Sequence, residues 1–191
     1  MKIILASASK ERAALLRSAG FRFEVYKSHI DETLVTGKSL PPAEVARALA
    51  AQKAVAAFAQ HPHDVVMGAD TLVCIDGVIF GQPKNREDAK RMLRTLSGTF
   101  HEVYTGVHFC GDYIELSFSE RTVVEFYELS EREIDRYLDI EGDEYLRHPG
   151  AYSVNGPSSI FIERINGDIN NCKGLPIGLT VRKLRDCGFR I

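Results

Sequence analysis

The stretch DVVMGADTLVCIDGVIFGQP, from Asp64 to Pro83, places an acidic residue within an apolar segment. The first apolar run leads to Asp70, and an apolar hairpin with Asp76-Gly77 as its turn follows. A carboxylate loses its hydration when it is buried, so packing alone seldom explains an acid at the end of a buried strand. We therefore predict that Asp70 ends its strand and binds a metal ion or transfers a proton.

A turn with two serines follows the first predicted strand, Lys2 to Ala6. Ser9 is placed to cap a helix that ends near Gly20, and Arg12 lies one turn into that helix. Hydroxyls, a helix N-terminus and an arginine together suit a phosphate group. The alternative is that Ser9 is a simple cap and Arg12 a solvated surface cation. This segment by itself slightly favours that alternative.

Other charged positions are less specific. Pro41-Pro42 begin a long alanine-rich helix, and Lys53 at the margin of its apolar face can extend either to water or into a binding site. The adjacent acids Asp31 and Glu32 lie in a polar loop, where acids are usually only solvated. His61-Pro62-His63 is more simply the end of the helix than a metal site.

Predicted strands and helices alternate along the whole chain. His101 to Cys110 and Tyr113 to Tyr127 are expected to form a long antiparallel pair, Ser159 to Ile165 a further strand, and Gly174-Leu175-Pro176 the start of the last helix. We therefore predict one mixed α/β domain over residues 1–191, with a cleft, rather than separable domains.

The composition is that of an ordinary globular protein, with 191 residues, 45% hydrophobic and 26% charged, and a net charge of -2. Such a charge gives no bulk attraction to a nucleic acid polymer. The four cysteines are far apart and never form C-x-x-C, which argues against a zinc ribbon or a redox pair. No signal peptide or membrane span is recognised, so we expect a cytoplasmic protein with no membrane partner.

Several segments in the same order resemble the Maf family over nearly the whole chain. These segments are LASAS with Arg12, DET at Asp31 to Thr33, QKA at Gln52 to Ala54, GADTLVCIDGVIFGQP, LSGTFHEVYTGV, HPGAY, and GLP at Gly174 to Pro176. Colinear motifs of this length are far more specific than a single short pattern.

The resemblance implies a nucleoside triphosphate pyrophosphatase. Such an enzyme cleaves between the α- and β-phosphates of noncanonical or pyrimidine nucleotides, in a house-cleaning role, and uses a divalent cation, Mg²⁺ or Mn²⁺. The resemblance also implies a mixed twisted sheet with flanking helices, in two lobes around a central cleft, similar to inosine triphosphate pyrophosphatases. A homodimer is expected on the same ground.

The family pattern assigns roles to individual residues of this chain. Asp70 is the expected catalytic acid, and a divalent cation would bridge the phosphates to Glu32 and Asp70. The expected substrate-binding residues are Ser7, Ser9, Arg12, Lys53 and Gln82. The positions associated with base specificity fall on Glu11, Thr71 and Asn155.

Two segments depart from the family pattern. Lys10-Glu11 stand where the family commonly has Pro-Arg, and Gln82 stands where it has lysine, so two expected cations are replaced. The subfamily that acts on dTTP and UTP commonly has Arg, Thr and Gln at the specificity positions. Thr71 agrees, Asn155 is a shorter amide, and Glu11 reverses the charge.

Two hypotheses follow. One is an active metal-dependent pyrophosphatase with preference for nucleotides like dTTP and UTP, supported by Glu32, Lys53 and Asp70. The other is a nucleotide-binding regulatory protein with weakened catalysis, suggested by Glu11 and Gln82. Release of pyrophosphate distinguishes the two.

Overall fold

The structure is a computed structural model that describes residues 2–28 and 40–189. Glu32, the expected second metal ligand, lies outside the described residues. Among those residues the strands are β1 (Ile3–Leu5), β2 (Phe23–Val25), β3 (Val65–Ile75), β4 (Val78–Phe80), β5 (Phe100–Gly111), β6 (Ile114–Phe126) and β7 (Ile162–Asn166). The α-helices are α1 (Lys10–Ser18), α2 (Pro42–Phe58), α3 (Arg86–Leu96), α4 (Glu131–Glu141), α5 (Ile169–Cys172) and α6 (Ile177–Asp186).

The strands form one mixed sheet. Its order is β2-β1-β3-β5-β6-β7, and β4 pairs with β3 outside that path. β1 is parallel to both of its neighbours, with Ile3 opposite Phe23 on one side and Val65 on the other. β4 and β7 run antiparallel to their partners β3 and β6. The predicted mixed α/β fold with flanking helices is confirmed.

Contacts divide the chain into two compact units, and the first takes its described residues from Met1–Thr71, Thr105–Glu120 and Gly174–Ile191. Alternate residues of a strand point to opposite faces of its sheet. In β3, Met67 and Ala69 pack with Leu16 of α1. Val66 packs on the other face with Ala54 of α2. Helices α1 and α2 therefore cover opposite faces of the sheet in this unit.

Helix α2 lies unusually close to the sheet because two strand positions are glycine. A Cβ atom added at Gly68 would lie 2.1 Å from the carbonyl oxygen of Ala50. A Cβ atom added at Gly106 would lie 2.2 Å from the carbonyl oxygen of Ala46. The facing helix residues are small as well, so the backbone of α2 rests directly on β3 and β5.

The second unit comprises Leu72–Tyr104 and Arg121–Lys173 and has its own apolar core, which includes residues of α3 and α4. Both helices have a side-chain N-cap. The Asn85 side chain accepts from the amide of Asp88, and Ser130 and Glu133 form a capping box. None of the described helices has the length and apolar character needed to cross a membrane.

Two sequence-based expectations about elements are wrong. Asp70 does not end its strand, because β3 continues from Val65 to Ile75. Its first residues pair with β1 and its last with β4, so the strand keeps partners on both sides of Asp70. The predicted strand from Ser159 begins only at Ile162, because Pro157–Phe161 form a 3₁₀ turn after Gly156.

Candidate active site

The turn after β1 is shaped by its two serine side chains. Ser7 Oγ accepts a hydrogen bond from the amide of Ser9 at 3.2 Å. Ser9 Oγ accepts one from the amide of Arg12, also at 3.2 Å, with Ser9 itself in extended conformation. The predicted N-cap at Ser9 is therefore confirmed, and the turn brings both hydroxyls to the N-terminus of α1.

Arg12 is tied to three separate segments of the first unit. Its Nη1 donates to Ser7 Oγ at 3.1 Å, its Nη2 to Thr71 Oγ1 at 3.0 Å, and its Nε to the carbonyl oxygen of Gly174 at 2.8 Å. The alternative that Arg12 is a solvated surface cation is wrong. The guanidinium plane is held in one orientation beside the serine turn, as bidentate recognition of an anion requires.

Two residues that no site prediction included complete this arrangement. Thr105 is fully buried, and its Oγ1 lies 2.9 Å from Thr71 Oγ1. Gly174 has a φ of +101°, and a Cβ atom there would lie 3.4 Å from Arg12 Nε. Both lie in segments that carry the resemblance, YTGV and GLP, which is the signal that sequence reasoning left unused. We call Ser7, Ser9, Arg12, Thr71, Thr105 and Gly174 the serine-turn cluster.

Lys53 and Asp70 form an ion pair on the opposite face of β3. Lys53 Nζ contacts Asp70 Oδ1, and the two side chains are only 16% and 13% exposed. Asp70 points to the α2 face because it is two residues beyond Gly68, where α2 rests on the strand. The close packing of α2 on β3 thus brings Lys53 into contact with Asp70. The positive charge of Lys53 compensates the charge of the Asp70 carboxylate inside the protein.

The serine-turn cluster and the Lys53–Asp70 pair lie on the two faces of β3, just beyond the carboxyl end of β1. The sheet order β2-β1-β3 places β1 between the two strands that follow it in the chain. Helix α1, which follows β1, and helix α2, which precedes β3, cover opposite faces of the sheet. The direction in which strands are added therefore reverses at β1. Ligands of open α/β sheets bind at the carboxyl ends of strands at such a switch point. Thr71 and Asp70 are adjacent in β3 on its two faces, just beyond the residues that pair with β1.

The charges around this edge favour an anion. Arg12 and Lys53 are cations, and the N-terminus of α1 adds the partial positive charge of its backbone. Glu11 lies in the first turn of α1, where its Oε2 accepts from Ser9 Oγ at 2.9 Å. Its carboxylate therefore partly offsets these positive charges at the turn itself.

Of the two expected metal ligands, Asp70 is the one that lies among the described residues. Mg²⁺ is usually held by one or two carboxylates together with substrate phosphates, so a single protein carboxylate beside an anion site fits that chemistry. Within residues 2–28 and 40–189, no group of three or more His, Cys, Asp or Glu side chains is placed to hold a metal ion.

Gln82 and Asn155 belong to the second unit. Gln82 Nε2 donates to the carbonyl oxygen of Arg147 at 3.0 Å, and the neighbouring Gly81 oxygen accepts from the amide of Gly150 at 3.1 Å. Asn155 is exposed, and its backbone N–H donates to Ser153 Oγ. Hydrogen bonds thus join the end of the hairpin to the HPGAY segment, and the expected roles of Gln82 and Asn155 in substrate binding stay predictions.

Comparison with known proteins points to one family. The family model described as Maf-like protein matches residues 2–187. A protein from Bacillus cytotoxicus named dTTP/UTP pyrophosphatase is 45% identical over 184 residues, which cover 96% of this chain and 94% of that protein. A protein of the same name from Bacillus anthracis is 44% identical over the same shares. The structure of the Staphylococcus aureus Ham1 protein aligns with a TM-score of 0.42 and 15% identity, over 66% of this chain and 72% of that chain.

Proposed function

This chain belongs to the family of Maf-like proteins, and we infer from this membership and the site geometry that it is a nucleoside triphosphate pyrophosphatase. It hydrolyses the bond between the α- and β-phosphates and releases a nucleoside monophosphate and pyrophosphate, in a house-cleaning role. The names of its relatives make dTTP and UTP the first substrates to test. Thr71 supports this preference, and we propose that Glu11 and Asn155 also affect the choice of base.

One observation carries the proposal: an acid–lysine pair and an arginine-bearing serine turn lie on the two faces of β3, just beyond its pairing with the carboxyl end of β1. Hydrolysis of a triphosphate needs positive charge for the phosphates and an acceptor for the proton of the attacking water. The serine-turn cluster provides the first requirement, and Asp70 provides the second.

Each side chain then has a role in the reaction. The oxygen of a water molecule attacks the α-phosphorus, its proton passes to the Asp70 carboxylate, and the bond to the bridging oxygen breaks so that pyrophosphate leaves. Lys53 keeps the carboxylate in place through their ion pair. Arg12, Ser7, Ser9 and the N-terminus of α1 bind phosphate oxygens and stabilise charge on the leaving group. We propose Gln82 as a further substrate-binding residue.

We propose that Mg²⁺ or Mn²⁺ is required, with Asp70 and Glu32 as its protein ligands. When bound, the ion neutralises phosphate charge and polarises the reacting phosphoryl group. Family membership supports a divalent cation in general, and the chemistry of Asp70 beside an anion site agrees with it.

The central test is pyrophosphate release from a nucleotide panel by wild type and Asp70→Asn. With dTTP, UTP, CTP and GTP in Mg²⁺ or Mn²⁺, we expect Asp70→Asn to lower kcat by about a thousandfold, because the amide accepts no proton. Asp76→Asn is the matched control. It makes the same change in the exposed turn of the adjacent hairpin, at a φ of 49° that asparagine tolerates, and we expect wild-type kcat.

The outcomes separate the hypotheses. Wild-type protein that binds nucleotides but releases no pyrophosphate from any of them contradicts the enzyme and supports the regulatory protein. Equal turnover by Asp70→Asn and wild type contradicts only the role given to Asp70.

We also propose that residues 1–191 act as a single domain and form a homodimer in the cytoplasm, where nucleoside triphosphates are made and consumed. The resemblance to the family supports the dimer. A monomeric mass in light scattering at micromolar concentration contradicts it.

A further inference from the structure

The segment Leu96 to Val107 carries part of the resemblance, yet no site role was assigned to any of its residues. Thr105 lies in this segment within β5, and its side chain is completely buried. Its hydroxyl lies 2.9 Å from that of Thr71. A valine would fill the same space without a polar group, so the buried hydroxyl calls for a reason.

The hydrogen bonds run in a chain from Thr105 to the guanidinium of Arg12. Arginine can only donate, so Thr71 Oγ1 is the acceptor in its contact with Arg12 Nη2. The hydroxyl of Thr71 moves with its χ1 rotamer, and the bond to Thr105 favours the rotamer that offers this acceptor. The hydrogen bond from Thr105 therefore favours the position of one of the anchors that the described residues provide for Arg12.

The other two anchors do not need such help. The Gly174 carbonyl belongs to the backbone, and Ser7 Oγ is fixed by the amide of Ser9 within the same turn. Thr71 is only partly buried and follows Asp70 directly, at the edge where the substrate is proposed to bind. The Thr71 hydroxyl is therefore the acceptor whose orientation depends on a neighbouring side chain, Thr105.

We propose that Thr105 is a positioning residue that, through Thr71, orients the Arg12 guanidinium toward the phosphates of the substrate. This inference rests on the proposed function, because it takes a nucleoside triphosphate as the ligand. Arg12 binds the phosphates and not the base, so the loss that passes from Thr105 through Arg12 is the same for every nucleotide.

The test uses the full chain with Thr105→Val, which keeps the volume and removes the hydroxyl. We expect KM to rise about fivefold for UTP and GTP alike, with kcat within about twofold of wild type, since the neutral hydrogen bond to Thr71 is lost. Thr105→Ser is expected to restore KM to within about twofold. Thr180→Val is the control, because Thr180 is equally buried in the same unit and, among the described residues, its hydroxyl donates to the carbonyl of Pro176 at the start of its own helix.

A double-mutant cycle separates positioning from a general structural effect. Binding of α,β-methylene-UTP, which resists cleavage, is measured by calorimetry for Thr105→Val, Thr71→Val and the double variant. If Thr105 acts through Thr71, the double variant binds within about twofold of Thr71→Val. Should Thr105→Val lower Tm more than Thr180→Val, Thr105→Ser and Thr105→Ala carry the comparison, since they differ only in the hydroxyl.

Three results overturn the inference: unchanged binding by Thr105→Val, the same loss in the Thr71→Val background, or a loss confined to one base. Wild-type protein that binds the analogue but releases no pyrophosphate contradicts the proposed function, while the binding cycle still decides the role of Thr105. Wild-type protein that neither binds nor cleaves overturns both.

Discussion

At the scale of single residues, Arg12 and Lys53 show two ways of holding a cation at an anion site. Arg12 is fixed by three acceptors from different segments, so its orientation is set before a ligand arrives. Lys53 contacts the carboxylate of Asp70, and the proposed role of that carboxylate requires it to be available to water. Preorganised charge of the first kind costs little reorganisation when the phosphate binds.

Gln82 offers a prediction at this scale. Gln82→Lys restores the cation of the family pattern, and we expect KM for UTP to fall about tenfold, because a charged donor binds phosphate more strongly than an amide. Lysine can also keep the bond to the carbonyl of Arg147 that the amide now makes. Initial rates over a range of UTP concentrations measure the change.

The control for Gln82→Lys is Gln60→Lys, which adds the same charge at an exposed position after α2. We expect it to leave KM unchanged. A KM for Gln82→Lys that is unchanged or raised with every nucleotide contradicts a phosphate-binding role at this position.

At the scale of elements, the distance between α2 and the sheet decides whether Lys53 reaches Asp70. We predict that Gly68→Ala destabilises the protein by about 3 kcal/mol, because its Cβ would lie 2.1 Å from a backbone oxygen of α2 that no side-chain movement can relieve. Displacement of α2 also moves Lys53 away from Asp70 and weakens their ion pair, so we expect kcat to fall as well. Urea unfolding and pyrophosphate release measure the two effects.

Gly81→Ala is the control for the unfolding measurement, because a Cβ atom at Gly81 meets nothing within 4 Å. We expect its free energy of unfolding to stay within about 0.5 kcal/mol of wild type. If Gly68→Ala is as stable as this control, the close contact of α2 with β3 is not the reason for glycine at position 68.

At the scale of the whole molecule, each of the two units has its own apolar core. The core of the second unit also contains a titratable group. His101 is 1% exposed, its Nε2 lies 2.7 Å from Tyr152 Oη, and its ring packs edge-on against Phe126. Burial lowers the pKa of His101 to about 4, so the folded protein holds this ring neutral at pH 7.

This pKa predicts how stability depends on pH. Between about pH 6.5 and pH 4 the unfolded chain binds a proton at His101 that the folded chain does not, so the free energy of unfolding falls as the pH falls. The loss from this one group approaches about 3 kcal/mol at pH 4. Urea unfolding at pH 7, 6, 5 and 4 measures it as the difference between wild type and His101→Gln.

His63→Gln is the control for that series, because His63 is exposed. We expect it to keep the pH dependence of wild type. The same pH dependence in His101→Gln and wild type contradicts the assignment to His101. The pKa of His108 is also lowered by burial, so only this difference, and not the slope of wild type alone, reports on His101.

Local structure was predictable where a short segment determines it. The N-cap predicted at Ser9 is confirmed, and like those at Asn85 and Ser130 it depends on a side chain and a backbone amide three residues later. The extent of β3 was not predictable from Asp70, because its partners β1 and β4 come from distant parts of the chain and extend the strand past the acid.

The sequence by itself determined the family, the mixed α/β class and most residues of the candidate site, because motifs and caps are properties of neighbouring residues. Only the tertiary structure decided that Arg12 is anchored by Ser7, Thr71 and Gly174 rather than solvated. It also revealed the buried Thr105 behind that anchor and the pairing of Lys53 with Asp70. These contacts join residues 17 to 162 positions apart, apart from Ser7 with Arg12, and no local pattern specifies which of them meet when the helices pack on the sheet.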